Sequence, residues 1–541
     1  MSGVLEVAAT GAAADAIGSV VPTLVQERFA SRLFAGDATL WGADAEPEAS
    51  VRLGWVGLHR TSRPLLGQIA ALRDELLEEG LDHVALCGMG GSSLAPEVIC
   101  ATAGVGLTVV DSSDPDQVRA AIGDRLDRTV VVVSSKSGST VETDSQRRAY
   151  EQAFTDAGID PTRRIVVVTD PGSPLDQQAR DGGFRVVNAD PNVGGRYSAL
   201  TAFGLVPSGL AGADIEALLD EADAVADLLA DDDEGNPALR LGAAMAGTTP
   251  LRDKLVLVDE GSGLVGFADW AEQLIAESTG KQGTGVLPVV VEDSSAPEVA
   301  LPPHDVTVAR LVGETDIDAE TQPETSGSDV SVCGALGAQL LLWEAATAVA
   351  GKILGINPFD QPDVESAKKA ARSMLEGTPD ASPAALVDGS VEVRALGGDW
   401  LGGASSLGEA VTALLDELDG SVGYVAVMAY LDRLALPQLE DVRRTLAVRT
   451  RRPVTFGWGP RFLHSTGQFH KGGPGVGVYV QITGEPAQDL PVPGRDYTFG
   501  TLVAAQAAGD AQVLADHGRP VLRLHLTDQK AGVPAVAEAL A

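Results

Sequence analysis

Cysteine is scarce in this 541-residue chain: Cys87, Cys100 and Cys333 are all it has, and no two form a CxxC pair. An odd number in apolar settings argues against a disulfide framework and for buried thiols in a reducing compartment. Aromatic residues make up only 4% of the chain, so its cores must rest on Ala, Val and Leu. Basic residues are outnumbered, 39 against 76 acidic, for a formal charge of −37. So acidic a surface speaks against nucleic acid or an anionic membrane as the main partner, and an anionic substrate would need a locally basic pocket. No basic stretch leads into an apolar core near the N-terminus, so a signal peptide is not expected. The most apolar segment, roughly 336–356, is interrupted by Gln339, Glu344 and Lys352, which suits a buried helix better than a membrane span. The expected compartment is the cytoplasm.

What the chain does have is length, too much for one core. From about residue 80 strand-like runs alternate with helical patterns. Strands are expected at 83–87, 107–111, 129–134, 164–169 and 184–188, with helices at 94–101, 115–122, 139–157 and 174–181. Such alternation predicts a parallel sheet covered by helices on both faces. A second series opens with Leu255-Val256-Leu257-Val258 and continues at 288–292 and 305–311, which places the main boundary near 247–252. A third stretch, 372–541, carries strands near 390–395, 424–430, 476–482 and 520–525 and is either an elaboration of the second unit or a separate α/β unit. Residues 1–50 are Ala-rich and mostly helical in pattern, with no legible chemistry.

Two loops carry the chemistry of the first series. Ser134-Ser135-Lys136-Ser137-Gly138-Ser139-Thr140 follows the apolar run Val130–Val133 and precedes a helix. A strand that ends in hydroxyls and glycine before a helix aims unpaired N–H groups, O–H donors and a positive dipole end at one point, which suits a phosphate. Gly88-Met89-Gly90-Gly91-Ser92-Ser93 is a second loop of this kind. Its Gly88-x-Gly90 with Asp111 downstream imitates a dinucleotide site, but Ser93 stands where the third glycine belongs. Plain helix capping by Ser135, Ser137 and Thr140 is the simpler alternative.

Further on, Asp269 to Lys281 forms a helix with the stripe Trp270, Ala271, Leu274 and Ile275, and with Gln273 and Glu277 one turn apart on a shared face. Gly280 is expected to stop it. A carboxylate in the last turn opposes the dipole, which raises its pKa and suits a base that takes a carbon-bound proton; a solvated glutamate is the alternative. Gly194-Gly195-Arg196 would let a guanidinium approach a ligand and stabilise an enediolate, or is a surface turn. Two histidines, His464 and His470, share a glycine-rich loop without the cysteine or carboxylate companions a zinc site needs.

Taken together these blocks resemble glucose-6-phosphate isomerases, also called phosphoglucose isomerases. The matching segments are Gly90-Gly91-Ser92, Ser135 to Thr140 with Glu142-Thr143, Gly194-Gly195-Arg196, Gln273 to Lys281, and Asn357 to Lys368; the likeness covers roughly 80–370. Residues 460–530 are also similar to transaldolase–isomerase fusions, though no transaldolase barrel precedes them. The resemblance implies two doubly wound sugar-isomerase (SIS) domains with mostly parallel sheets, at 51–248 and 249–541, plus a C-terminal α/β elaboration or rearranged part at 372–541. It implies a homodimer acting on a small sugar phosphate without cofactor or metal. Gly91, Ser92, Ser135, Lys136, Ser137 and Thr140 would hold the phosphate end, with Gln273 and Gln361 positioning hydroxyls. Glu277 would shuttle the proton between C2 and C1, Arg196 would stabilise the cis-enediolate, and Lys368 with a histidine would open the ring. In the family's usual order that histidine lies between the glutamate and the Asn357 segment, where this chain offers only His304. His464 matches better, which would put it after the lysine in a rearranged last third, and His470 is its rival. A dual phosphoglucose/phosphomannose isomerase and a non-catalytic sugar-phosphate sensor are the other readings.

Overall fold

A computed structural model describes residues 5–313, 328–362, 375 and 383–541. The first strand, β1 (Glu6–Thr10), belongs to a sheet completed much later in the chain. The sequence pattern of residues 1–50 points to helix, and most of the segment is helical, but five residues pair antiparallel with a distant strand, from Glu6 opposite Cys333 to Thr10 opposite Asp329. So short an edge strand has no alternation of its own to announce it; its partner makes it a strand.

The first sheet comprises β2 (His83–Cys87), β3 (Thr108–Val110), β4 (Thr129–Ser134), β5 (Ile165–Thr169) and β6 (Arg185–Asn188) in the order β3-β2-β4-β5-β6, all parallel. Every residue of β2, β4 and β5 is buried, which is why these strands read as unbroken apolar runs. The chain leaves β2 to one side for β3 and returns on the other side for β4. That reversal opens a crevice at the C-terminal ends of β2 and β4. Both glycine- and serine-rich loops start there.

β7 (Lys254–Glu260), β8 (Leu287–Val290), β9 (Val306–Val312) and β10 (Ser328–Cys333) form the second sheet with β1, in the order β1-β10-β9-β7-β8. Leu86 and Val132 of the first sheet share one hydrophobic core with Leu255, Leu257 and Leu311 of the second. The apolar helix runs from Leu336 to Leu354 with sixteen of its residues buried, eleven of them in that core; among the described residues no helix is long and apolar enough to cross a membrane. Cys87, Cys100 and Cys333 are all buried, and burial pushes the Cys100 thiol up to about 11.

The last stretch forms a third sheet. It holds β11 (Leu386–Asp388), β12 (Val391–Leu396), β13 (Tyr424–Tyr430), β14 (Val454–Trp458), β15 (Gly477–Gly484) and β16 (Val521–Leu526), in the order β11-β12-β16-β15-β13-β14. One face has its own core, built on Val393, Val427, Val480 and Leu524. The other packs on the second sheet, where Tyr424, Met428 and Tyr479 meet Val256, Val258 and Val306. Being seated there brings the loop after β14 to the first sheet's crevice.

The helix Pro115–Gly123 after β3 is capped by Asp114, which accepts from Asp116 N and Gln117 N. Burial first, then the charges of Asp432 and Asp116, push this carboxyl up to about 6. Between its unfolded value of ~3.9 and that folded value, the folded chain holds the proton more tightly than the unfolded one. The stabilisation is therefore complete at low pH and lost as pH rises through the folded pKa. Asn caps a helix as well as Asp does but cannot ionise. Asp114→Asn should therefore raise Tm at about pH 8 and leave it unchanged at about pH 4; thermal melts with equal shifts at both would contradict this.

Candidate active site

Gly90 and Gly91, in the turn after β2, sit where three distant segments close in. A Cβ on Gly90, whose φ is +55°, would lie 2.6 Å from Gln273 Nε2 and 2.9 Å from His464 Cβ, and one on Gly91 would lie 1.9 Å from Gly195 O. No side chain fits at either position. Ser92 completes the turn, half-buried. Gln273 is buried, and its Oε1 has no partner among the described residues, so it is an acceptor waiting for a donor.

In the other loop, Ser135 Oγ accepts from Gly138 N (3.2 Å) and lies 3.4 Å from Thr140 Oγ1, while the Ser137 and Ser139 hydroxyls pair at 2.7 Å. Thr140 occupies the N-cap of the Val141–Asp156 helix, yet its side chain caps nothing. The loop is thus not the simple capping arrangement its serines and threonine allowed. Its hydroxyls border a helix N-terminus with donors to spare. Lys136 turns elsewhere: its Nζ is 2.6 Å from Asp170 Oδ2 and 3.2 Å from Pro191 O.

Arg196 is 4% exposed and heavily anchored. Its Nε donates to Ser278 Oγ (2.8 Å), Nη2 to Pro358 O (2.6 Å) and Asp360 O (3.1 Å), and Nη1 to Gln361 Oε1 (3.3 Å). Nη1 is also 3.6 Å from Glu277 Oε2, an almost fully buried pair. Lys281, one turn beyond Glu277, donates to Asn357 O, Asp360 O and Asp360 Oδ1 at 2.6–2.8 Å. Burial, then the nearby Arg196 charge, lower its ammonium to about 8. Behind the cluster the chain concentrates its few aromatics: Trp55 stacks on Tyr197 (5.2 Å between centroids), Tyr197 lies 5.6 Å from Phe359, and Phe359 lies 4.9 Å from Trp41. Trp41 and Trp55 come from the N-terminal stretch, which thereby backs the site.

The histidines separate clearly. His464 is 13% exposed in its side chain and places Nε2 3.2 Å from Glu142 Oε1, which also accepts from Gln506 Nε2 at 2.6 Å. His470 is buried against Tyr424, with Nδ1 3.0 Å from its hydroxyl, and burial holds its pKa well below the usual imidazole value. His304 is exposed ahead of β9. Lys368 lies outside the described residues.

Glu142, Gln506, Ser278 and Lys281 have no role legible in the sequence. Glu142 could be suspected from its place in the first turn after the hydroxyl loop. Nothing local signals Gln506.

Two mostly parallel sheets with hydroxyl loops at the crevice and a buried Arg–Glu pair beside them define a sugar-isomerase-fold enzyme, an isomerase. No protein-family model matches the chain. It is 31% identical over 341 residues to the "probable glucose-6-phosphate isomerase" of Natronomonas pharaonis, covering 55% of this chain and 79% of that one. It is also 31% identical over 347 residues to the glucose-6-phosphate isomerase of Gloeothece citriformis, covering 53% and 65%. A solved structure of a hypothetical protein from Thermus thermophilus superposes with a TM-score of 0.59 at 25% identity, over 69% of this chain and all of that one. The chain belongs to the glucose-6-phosphate isomerase family.

Proposed function

We propose that the chain interconverts glucose 6-phosphate and fructose 6-phosphate through a cis-enediolate, with the chemistry centred on Glu277. The observation that carries this reading is the buried Arg196–Glu277 pair at 3.6 Å, held beside the Gly90–Gly91 turn and Gln273. The phosphate rests on Ser92, Ser135, Ser137 and Thr140, on the backbone N–H groups near them, and on the end of the Val141–Asp156 helix dipole. Lys136 contributes its backbone and, through Asp170, the loop's shape. Gln273 and Gln361 orient sugar hydroxyls.

His464 opens the ring by moving a proton at the ring oxygen, with Lys368 as its assistant in the family's pattern. Glu142 holds the imidazole by Nε2, which fixes the ring's orientation. Glu277 then removes the C2 proton as a base and returns it to C1 as an acid. Arg196 meets the negative charge that builds on the enediolate oxygens. Its four anchoring bonds fix it beforehand, so little reorganisation accompanies the charge. Burial of Glu277 and Arg196 keeps water from the intermediate. C2 is oxidised as C1 is reduced within one molecule, with no net oxidation, so no redox cofactor is called for.

The division into units at 51–248 and 249–541, a homodimer and a cytoplasmic setting belong to the same reading. His464 reaches the crevice from its own chain, beside Gly90 and Glu142. Incubating purified protein with glucose 6-phosphate alone, then assaying fructose 6-phosphate, tests the activity; absence of product would overturn it. Mannose 6-phosphate in a parallel assay separates the dual-specificity reading.

One variant tests the ring-opening role. His464→Asn should lower turnover by about 10²-fold, within the range of a lost general acid–base group. Exchange of the C2 proton should suffer less when open-chain sugar is supplied by spontaneous opening. Equal losses in both measurements would assign His464 to binding instead.

A further inference from the structure

His464 comes to the crevice on a loop of the third unit, and one helix of that unit reaches the loop at two points. The helix Phe499–Asp516 carries Gln506 and Asp510 one turn apart on a shared face, and both are buried. Asp510 Oδ1 lies 2.5 Å from Nζ of Lys471, which belongs to the short helix Gly467–Gly472 that follows His464. Lys471 also donates to Gly467 O at 3.1 Å. From the same short helix Gln468 Nε2 donates to Gly280 O (2.9 Å), at the end of the helix that bears Glu277. The loop is thus fastened downstream of the histidine.

Gln506 acts on the imidazole's own partner. Its Nε2 donates to Glu142 Oε1 at 2.6 Å, and this is the oxygen that stands 3.2 Å from His464 Nε2. An ionised carboxylate oxygen only accepts, so the amide can face it only with its nitrogen. A donor to a charged acceptor makes a short, strong bond. The neutrality of the donor matters as well. A lysine or arginine at 506 would form an ion pair with Glu142 and compete with the ring for its charge. An amide steers the carboxylate and leaves that charge to the imidazole. Gln506 Oε1 has no partner among the described residues, so within them the side chain is held through Nε2 and Glu142.

We infer, on the ring-opening role proposed for His464, that Gln506 is a positioning residue for that step: by fixing the Glu142 carboxylate it sets the imidazole against the ring oxygen of the sugar. A merely structural Gln506 would have a different signature. Glu142 lies in the first turn of the helix Val141–Asp156, whose start borders the hydroxyl loop. Seating that helix would support phosphate binding, and its failure would raise KM.

A double-mutant cycle on the full chain separates the two. Gln506→Met keeps the length and volume of the side chain but donates nothing. It should lower kcat by about tenfold, inside the ~10²-fold that a misplacement of about 1 Å can cost, with KM within about twofold. In the His464→Asn background the same substitution should cost less than about twofold, because residues that act as one unit are not additive. Exchange of the C2 proton should fall less than turnover in Gln506→Met, as in His464→Asn. Gln506→Leu is the second variant, and thermal melts of both give the folded fraction. Equal fold-losses in the two backgrounds, as a seating role or a partly unfolded variant would give, overturn the inference and leave His464 its role. So does a loss confined to KM. Full turnover in His464→Asn overturns that role and the inference with it.

Discussion

Glu277→Gln lowers turnover by at least about 10²–10⁴, the span typical of a lost general acid–base group, while KM stays within a few-fold. The amide keeps the shape and the buried packing of the carboxylate but cannot accept a carbon-bound proton. Glu277 is 4% exposed, and Arg196 Nη1 stands 3.6 Å from Oε2. On the proposed reading, binding draws mainly on the hydroxyl loops and on Gln273, which the substitution leaves alone. Rates in hydrogen–deuterium exchange at C2 should fall with turnover, because both need the same proton transfer. Near-normal turnover in this variant would remove Glu277 from the chemistry and with it the reaction assigned to the site.

Arg196→Ala has the next largest effect, and it falls on kcat more than on KM. Removing one preorganised donor to a developing oxyanion costs about 10²–10³ in kcat. The argument is differential: charge grows on the substrate oxygens only as the enediolate forms, so the guanidinium stabilises the transition state beyond the ground state. A second consequence is structural. The side chain ties Ser278 to the carbonyls of Pro358 and Asp360; its loss takes the guanidinium from the buried Pro358 carbonyl, while Asp360 O keeps Lys281. Arg196→Lys restores charge but not the planar fork, so it should recover little of the rate. A loss confined to KM, with kcat intact, would make Arg196 a binding residue only.

Much of this site is legible in the residues alone. The strand–hydroxyl-loop–helix pattern at 129–156 is local, and the observed strand Thr129–Ser134 and helix Val141–Asp156 follow it closely. Burial on both faces explains the same clarity at β2 and β5. Gly280 is legible for another reason than the one it serves. It ends the helix Phe267–Thr279, but with φ −76°, outside the left-handed region expected of a glycine stop. A Cβ there would lie 2.5 Å from Phe469 Cα, so it is close approach of the segment that follows β14 that demands glycine. β1, β11 and β14 carry no comparable local signal, because short or edge strands take their conformation from partners.

The sequence by itself determined the local chemistry: where donors gather at a strand end, and which helix carries a glutamate one turn from a glutamine. Such features depend on residues a few positions apart, and backbone geometry fixes their relation. Tertiary structure decided the rest. It placed His464 rather than His470 against Glu142, 322 residues away, turned Lys136 to Asp170, and set Lys281 on the Asn357–Asp360 turn. These outcomes depend on how three sheets pack and cross over, and no spacing along the chain encodes a contact made by the burial of distant faces.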